Sequence, residues 1–326
     1  MTVTYGNSEH SPRVFVIHEN ETWVEPLQKQ FQALGIPASE WFLHEGSLDL
    51  NEQPPEGVFY NRMSASSHTR GHRYAPEFTS SVLAWLKRHD RIVVNGPRAL
   101  QLELSKVEQY QALARFGIET PKTIAVIGKD DIAAGARKLG FPVILKHNRA
   151  GKGLGVKLLH SEAALRDHLA GDEFEQSVDG LTLVQQYIEA PSPFITRVEF
   201  VGGEFLYAVR VDTSGGFELC PAEACSVENL DDYCPTVATT DMFEIIRDFD
   251  HELIPNWESF LQANDIGIAG IEFIVDQSGR SYTYDVNTNT NYNPEAEQKD
   301  GRQGMKAIAR YLGDLLEQQS KIASAA

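Results

Sequence analysis

Three oxygen-bearing side chains in the last fifth of the chain have a spacing that suits a shared cation. Glu272 lies in one stretch of β-type sequence, and Asp285 and Asn287 lie in the next. If these stretches form a hairpin, opposed Cβ atoms are ~5 Å apart, and two carboxylates at that distance repel unless a cation separates them. Two carboxylates and an amide oxygen suit Mg²⁺ held jointly with phosphates. The alternative interpretation is a solvated polar strand face.

The register of this hairpin decides whether the three side chains share a face. A four-residue loop at 277–280 would join strands 268–275 and 281–287. It predicts the cross-strand pairs Asp276–Ser281, Glu272–Asp285 and Gly270–Asn287. The opposite face then forms a core of Ile271, Phe273, Val275, Tyr282, Tyr284 and Val286.

A glycine-rich turn follows an apolar strand that ends at Lys146. Gly151, Gly153 and Gly155 alternate with other residues, and Lys152 lies among them. Backbone N–H groups of such a turn can approach phosphate oxygens, because glycine has no Cβ. The turn is neither a Walker loop nor a dinucleotide fingerprint, since no Ser or Thr follows the lysine and the glycine spacing is one residue short. A mobile hairpin is the alternative, but a lysine at the strand end favours phosphate binding.

Other cations are ambiguous by themselves. Lys106, in a helix predicted over 98–116, is more typical of a solvated helix surface. Arg197 and Arg210 lie on the two strands of a hairpin closed by a Gly-Gly turn at 202–203. Either arginine could pair with Glu199 or Glu223, or could hold a phosphate or carboxylate.

Composition limits the classes of function. The 326 residues suggest two or three domains, and a net charge of −17 argues against nucleic-acid binding. No apolar run is long enough to span a membrane, and the first twelve residues do not resemble a signal peptide. Cys220, Cys225 and Cys234 lack the spacing of common zinc sites, so we expect reduced thiols in a cytoplasmic protein.

The predicted elements place these residues in an α/β chain. A β-α-β-α-β pattern over about 12–96 indicates an open α/β domain, with Asn61 to Ser64 and Asn95 at the carboxyl ends of strands. A mixed block follows, and the pattern is mainly antiparallel from residue 195 onward. A long helix is predicted over about 242–263, before the metal hairpin and a terminal helix.

The order of these segments resembles the ATP-grasp superfamily and, within it, the RimK-like glutamate ligases. The resemblance extends from about Val58 to Leu316. The segments that carry it are Phe59–Ser64, Leu104–Lys106, Gly117–Thr123, Phe141–Lys146 with its glycine turn, Leu183–Ile188, Thr196–Val198, Ala208–Arg210 and Asp285–Asn287.

The resemblance implies an ATP-grasp fold of class α/β, with α+β parts. Residues 1–97 would form an N-terminal open α/β pre-ATP-grasp domain on the substrate side, and 98–187 a small central α/β lid subdomain with the glycine-rich loop. Residues 188–318 would form a C-terminal subdomain with an antiparallel sheet and the metal site, and 319–326 a tail.

The resemblance also implies roles for individual residues. Lys106 and Lys146 would hold the α- and β-phosphates of ATP, and Lys146 would also be catalytic. The loop with Gly151, Lys152, Gly153 and Gly155 would cover the β- and γ-phosphates. Adenine and ribose would be bound by Gln185, Gln186, Tyr187, Ile188 and Glu189. Mg²⁺ (or Mn²⁺) would be bound by Glu272, Asp285 and Asn287, and Arg210 would be catalytic. The substrate would be bound by Asn61, Arg62, Ser64, Arg197 and Asn289.

The chain departs from the family pattern at two acidic residues and in two segments. Relatives usually have Asp where this chain has Glu272 and Glu where it has Asp285. The run Thr288–Asn293 and the stretch Gly215–Cys220 also differ, and both border the expected substrate site. Protein or peptide glutamylation therefore cannot be inherited from the family.

The expected activity is that of a carboxylate–amine ligase, which forms an amide or peptide bond through an acyl-phosphate and releases ADP and phosphate. The substrates would be small molecules, such as amino acids, or a peptide, and a homo-oligomer is left open. The alternatives are an ATP-grasp phosphotransferase and a nucleotide-binding protein without ligase activity.

Overall fold

The computed structural model describes residues 11–151, 153, 155–214 and 242–325. Three sheets follow one another along the chain, and their helices make the fold a mixed α/β architecture, as expected. None of the described helices is long and apolar enough to cross a membrane. Lys152, the stretch 215–220 and all three cysteines lie outside the described residues.

The N-terminal sheet is parallel and has the strand order β2-β1-β3-β4. Its strand β2 is missing from the sequence prediction, because the five residues ASEWF show neither an apolar run nor an alternation of apolar and polar residues. The carboxyl-end position of Asn61 is confirmed, and its side-chain amide donates to the Asn95 carbonyl at 2.9 Å. The elements are β1 Arg13–His18, α1 Glu21–Leu34, β2 Ala38–Phe42, β3 Gly57–Asn61, a 3₁₀ helix Ser67–Arg70, α2 Ala75–Arg88 and β4 Ile92–Val94.

The helix predicted over 98–116 is broken at Ser105. Helix α3 Pro97–Leu104 ends there and α4 Lys106–Ala114 begins, with the Ser105 hydroxyl accepting from the Glu108 N–H at 3.3 Å. The break makes Lys106 the first residue of α4, and its side chain is buried.

The central sheet is antiparallel, with the order β5-β8-β6-β7. Most of its buried apolar side chains form a separate core with those of the helices beside it, which includes Val126, Leu145, Leu165 and Val184, whereas Leu183 belongs to the cluster of the C-terminal sheet. The elements are β5 Thr123–Ile127, α5 Ile132–Leu139, β6 Val143–His147, β7 Lys157–Leu159, α6 Glu162–Ala170 and β8 Leu181–Gln186.

The C-terminal sheet is antiparallel, with the order β11-β10-β9-β12-β13. The helix predicted over 242–263 is wrong in its first half, because 243–246 pair with the outer edge of β10 as strand β11 and the helix begins only at Ile254. The elements are β9 Phe194–Val201, β10 Glu204–Asp212, β11 Phe243–Ile246, α7 Ile254–Ala263, β12 Ile268–Val275, β13 Ser281–Asn287, α8 Pro294–Asp300 and α9 Gly304–Ala325.

The N-terminal and C-terminal sheets share one hydrophobic core. Val14 and Val58 from the first sheet belong to the same cluster as Ile195 and Tyr207 from the last, and Ile308 of α9 joins them. The buried side chain of Asn95 adds polar contacts, since it donates to the carbonyls of residues 268 and 288 and accepts two backbone N–H bonds. These two sheets therefore form one packed body, whereas the central sheet has its own core.

Candidate active site

The predicted cross-strand pairs at the metal end of the hairpin are confirmed. Glu272 pairs with Asp285, and Gly270 pairs with Asn287. The pair Asp276–Ser281 is wrong, because Ser281 pairs with Val275 across a loop one residue longer than predicted.

A bulge at Tyr284 restores the register after that longer loop. Phe273 pairs with Thr283, so Tyr284 has no cross-strand partner before Asp285 pairs with Glu272. The bulge also changes which side chains face the core. Thr283, not Tyr284, is fully buried and accepts from the Trp257 indole at 3.1 Å, whereas Tyr284 lines the cavity. The predicted core position of Tyr284 is therefore wrong.

Each of the two opposed carboxylates has a cation beside it. Asp285 Oδ1 is 3.1 Å from Lys106 Nζ, and Glu272 Oε1 is 2.7 Å from Arg197 Nη1. The Asn287 amide lies 3.5 Å from Glu272 Oε1. Burial raises the pKa of Glu272, and Arg197 opposes that rise. Burial would lower the pKa of Lys106, but Asp285, together with Tyr110 and Glu103, outweighs it and raises the pKa.

The oxygen ligands suit a hard divalent cation that is shared with phosphates. Glu272, Asp285 and Asn287 supply two carboxylates and one amide, fewer ligands than Mg²⁺ takes, so the others must come from ligand or water. Among the described residues, no three His, Cys, Asp or Glu side chains converge on a self-sufficient metal site.

Arg197 is buried in a compact ionic cluster. Its guanidinium donates to Glu199 at 2.5 Å, to Glu272 at 2.7 Å and to the Thr290 hydroxyl at 2.7 Å. Thr290 in turn donates to Glu199 at 2.8 Å. The structural pairing of Arg197 with Glu199 that the sequence left open is therefore present. Glu199 itself, although buried, is absent from the predicted site.

Lys146 is a second buried lysine in this site. Its side chain is buried and its ammonium lies between two rings, 5.3 Å from the centroid of Tyr110 and 5.7 Å from that of Tyr284. Burial, and then the charge of Lys106, lower its pKa to about 7. A buried ammonium stabilised mainly by aromatic faces is well suited to a phosphate that arrives between them.

The glycine turn lies over the same cavity. Gly151 and Gly153 line it, and a Cβ built on Gly151 would lie 3.6 Å from Ser66 of the N-terminal domain. Gly155 has φ +70°, and a Cβ there would lie 2.7 Å from the His147 ring. A side chain at position 155 would therefore displace the imidazole.

The end of β8 and the residues that follow it form another part of the cavity wall. Gln185 is buried and donates to the hydroxyls of Tyr110 and Thr123 at 3.1 and 2.8 Å. The predicted nucleotide residues of this segment all line the cavity: Gln185, Gln186, Tyr187, Ile188 and Glu189. The cavity volume is about 480 Å³.

Arg210 and Arg62 have protein partners. Arg210 is exposed on β10, with its guanidinium carbon 4.1 Å from the ring centroid of Phe194, which lines the cavity. Arg62 is only 1% exposed and donates to four protein oxygens, those of Trp23, Asn289, Thr290 and Asn291. Asn289 and Ser64 line the cavity. The side chain of Asn61 instead donates a hydrogen bond to the Asn95 carbonyl. The substrate roles of these residues stay predictions.

Glu103, Tyr284 and Asn291 also line the cavity, and sequence reasoning missed all three. Asn291 lies in the Asn-rich run after β13, and its alternation with Asn287 and Asn289 is the signal that could have identified it. Glu103 carries no such signal, because its place in the cavity depends on contacts with Ala65 and Thr288, which are distant in the sequence.

Comparisons with known proteins agree with this geometry. Residues 104–229 match the RimK-like ATP-grasp domain family. The chain is 27% identical over 200 residues to a D-alanine–D-alanine ligase of Nitrosospira multiformis, across 60% of this chain and 59% of the relative. It is 29% identical over 161 residues to the β-citrylglutamate synthase B of Danio rerio, across 48% and 37%. The chain thus spans under two thirds of the length of these curated relatives.

Solved structures share the whole fold. The RimK-domain ATP-grasp protein of Sphaerobacter thermophilus superposes with a TM-score of 0.61 at 18% identity, covering 92% of this chain and 98% of that one. The D-cycloserine synthetase DcsG gives 0.62 at 16% identity, covering 93% and 99%. The chain therefore has the ATP-grasp fold. Its ATP-grasp domain is of the RimK-like type, as the order of its motifs predicted.

Proposed function

We propose that this protein is an ATP-dependent carboxylate–amine ligase. The observation that carries the proposal is the convergence of Lys106, Lys146, the glycine turn and the pair Glu272–Asp285 on one cavity. The relatives named as D-alanine–D-alanine ligase and β-citrylglutamate synthase join a carboxylate to an amine, which supports the same reaction here.

The reaction would proceed in two steps in the closed cavity. A substrate carboxylate oxygen attacks the γ-phosphorus of ATP, giving an acyl-phosphate and ADP. The amine then attacks the acyl carbon, phosphate leaves, and one proton is released. No side chain among those described needs to form a covalent bond, so the protein acts by positioning and by charge neutralisation.

The nucleotide would lie between the hairpin and the segment after β8. We assign Gln186 to Ile188 to adenine and Glu189 to ribose. The two lysines would contact the α- and β-phosphates, and the glycine turn with Lys152 would cover the β- and γ-phosphates. Mg²⁺, or Mn²⁺ in its place, would neutralise phosphate charge when held by Glu272, Asp285 and Asn287.

Arg210 is proposed to stabilise the charge on the transferring phosphoryl group. Its exposed guanidinium, stacked on Phe194, would have to turn toward the cavity that Phe194 lines. Arg197, Arg62, Ser64, Asn61 and Asn289 are proposed to shape the substrate end. We place the reaction in the cytoplasm, where ATP is supplied.

The test is a phosphate-release screen in which carboxylic acids and amines are supplied singly and in pairs with Mg-ATP. A ligase releases phosphate only when both an acid and an amine are present, and mass spectrometry finds the amide. A stable phosphorylated product without an amine would instead identify a phosphotransferase. If Mg-ATP raises the melting temperature but no pair gives turnover, the protein binds nucleotide without being a ligase.

A further inference from the structure

Glu103 is an acid at the proposed substrate end of the cavity that has no direct part in the ATP-binding roles above, although its charge and that of Lys106 attract each other. It is the penultimate residue of α3, and Thr288 holds its Oε2 with a backbone N–H at 2.8 Å and a hydroxyl at 3.0 Å. Its Oε1 faces the Ala65 N–H at 3.4 Å. The carboxylate is thus fixed between the N-terminal domain and the metal hairpin, and it lines the cavity.

The cations around this end of the cavity already have protein partners. Arg197 has Glu199 and Glu272, and Arg62 has its four oxygens. Arg70 binds Glu19 through two bonds of 3.0 and 2.6 Å. Arg149 binds Glu77 at 2.8 Å. A substrate carboxylate would therefore have to compete with protein partners at each of these arginines.

The lysines that line the cavity are the ones proposed to bind the nucleotide. Of the lysines and arginines that the structure describes, Lys106, Lys146 and Arg197 line the cavity. Lys152 lies in the loop proposed to cover the β- and γ-phosphates. The sequence of 215–241 contains six acidic residues and no Lys or Arg, so that segment brings no further cation.

Two carboxamides complete this end of the cavity. The side-chain oxygens of Asn289 and Asn291 accept from Arg62 at 3.1 and 2.8 Å. Because a guanidinium only donates, this contact fixes the orientation of both amides and leaves their NH₂ groups as donors. Both residues line the cavity, so they offer neutral donors that suit a carbonyl oxygen.

We propose that the amine substrate carries a neutral carbonyl in place of a free carboxylate, and that Glu103 receives its ammonium group. The substrate class is an amino-acid amide or the N-terminus of a peptide. This inference rests on the proposed ligase function. Asn289 and Asn291 bind the neighbouring carbonyl, and the placement of Glu103 excludes an acidic group there by repulsion.

The substrate part of the test uses matched amines. Glycine and glycinamide, and alanine and alaninamide, are compared as amines in the phosphate-release assay with the best acid of the screen. We expect KM for each amide to be at least about tenfold lower than for its free acid, the size of one charge-assisted contact. A preference for the free amino acids overturns the inference and leaves the ligase function intact. If no pair gives turnover, both this inference and the proposed ligase function are wrong.

The residue part compares Glu103→Gln with Thr288→Val. The first removes the charge at nearly constant shape, and the second removes one hydrogen bond that holds Glu103 while the charge remains. We expect Glu103→Gln to raise KM for the amine about tenfold or more, while the dissociation constant of Mg-ATP, which can respond through Lys106, changes by a much smaller factor. Thr288→Val should change that KM far less. If the two variants behave alike, Glu103 only supports the hairpin and the proposed contact is wrong.

Discussion

Binding of ATP should weaken as the pH rises through the pKa of Lys146. That pKa is about 7, because the ammonium is buried and has the charge of Lys106 nearby. A phosphate beside it favours the charged form, so the complex keeps the proton that the free protein loses. The sign follows from linkage. If the complex binds one more proton than the free protein does above pH 7, affinity falls with pH in that range.

The size of the effect follows from the same pKa. At pH 6 about nine tenths of the free protein carries the proton on Lys146, and at pH 8 about one tenth does. The dissociation constant of Mg-ATP should therefore rise about tenfold between these pH values, equivalent to ~1.4 kcal/mol of binding free energy. Isothermal titration calorimetry should also detect the uptake of about one proton at pH 8, as a dependence of the heat on the buffer.

Lys146→Arg is the matched control, because an arginine keeps its charge over the whole range. It retains a cation at the end of β6, so any pH dependence that remains in this variant comes from other groups or from the nucleotide. The reasoning is refuted if wild type and Lys146→Arg lose affinity by the same factor between pH 6 and pH 8. It is also refuted if binding at pH 8 takes up no proton in the wild type.

Three further predictions concern the hairpin and the ionic cluster behind it. Asp285→Asn should lower phosphate release by ~10²–10³-fold, since one charge that holds the cation is lost; turnover close to that of the wild type would mean that the metal site lies elsewhere. Arg197→Met should lower the free energy of unfolding in urea by about 3–5 kcal/mol, because Glu199 is left buried without its cation; a change below 1 kcal/mol would show that the carboxylate is protonated or hydrated instead. Gly270→Ala should abolish turnover, because its Cβ would lie 2.7 Å from the guanidinium carbon of Arg197, whereas Gly135→Ala in α5 places its Cβ at an ordinary contact distance of 3.5 Å from Ile124 and Val184 and should keep turnover. Equal losses in the two alanine variants would contradict that explanation.

The metal hairpin shows how far sequence reasoning can reach. Period two and a short loop were enough to oppose Glu272 and Asp285, and that pairing is confirmed. The loop length was wrong by one residue, and the bulge at Tyr284 compensated for it. A bulge depends on how the strand packs against its neighbours, so the periodicity of a single strand does not reveal it.

Tertiary contacts explain the other differences. Residues 243–246 form a strand because the edge of β10 offers hydrogen bonds, which a helical pattern in the isolated sequence cannot show. Glu199 is in reach of prediction, because it alternates with apolar residues on β9 and lies two residues from Arg197. Glu103 is not, since its place in the cavity depends on a contact with Thr288, far away in the sequence.

The single core shared by the N-terminal and C-terminal sheets limits how this chain could be recombined with its relatives. A chimaera that exchanges only residues 11–97 would cut through a cluster containing Val58, Ile195 and Ile308, and would remove the Asn95 contacts to β12. The central sheet packs around its own cluster, so residues of β5 to β8 form the unit that can be transplanted with least repacking. Residues of the N-terminal and C-terminal sheets are therefore inherited together, whereas the central sheet can be exchanged separately.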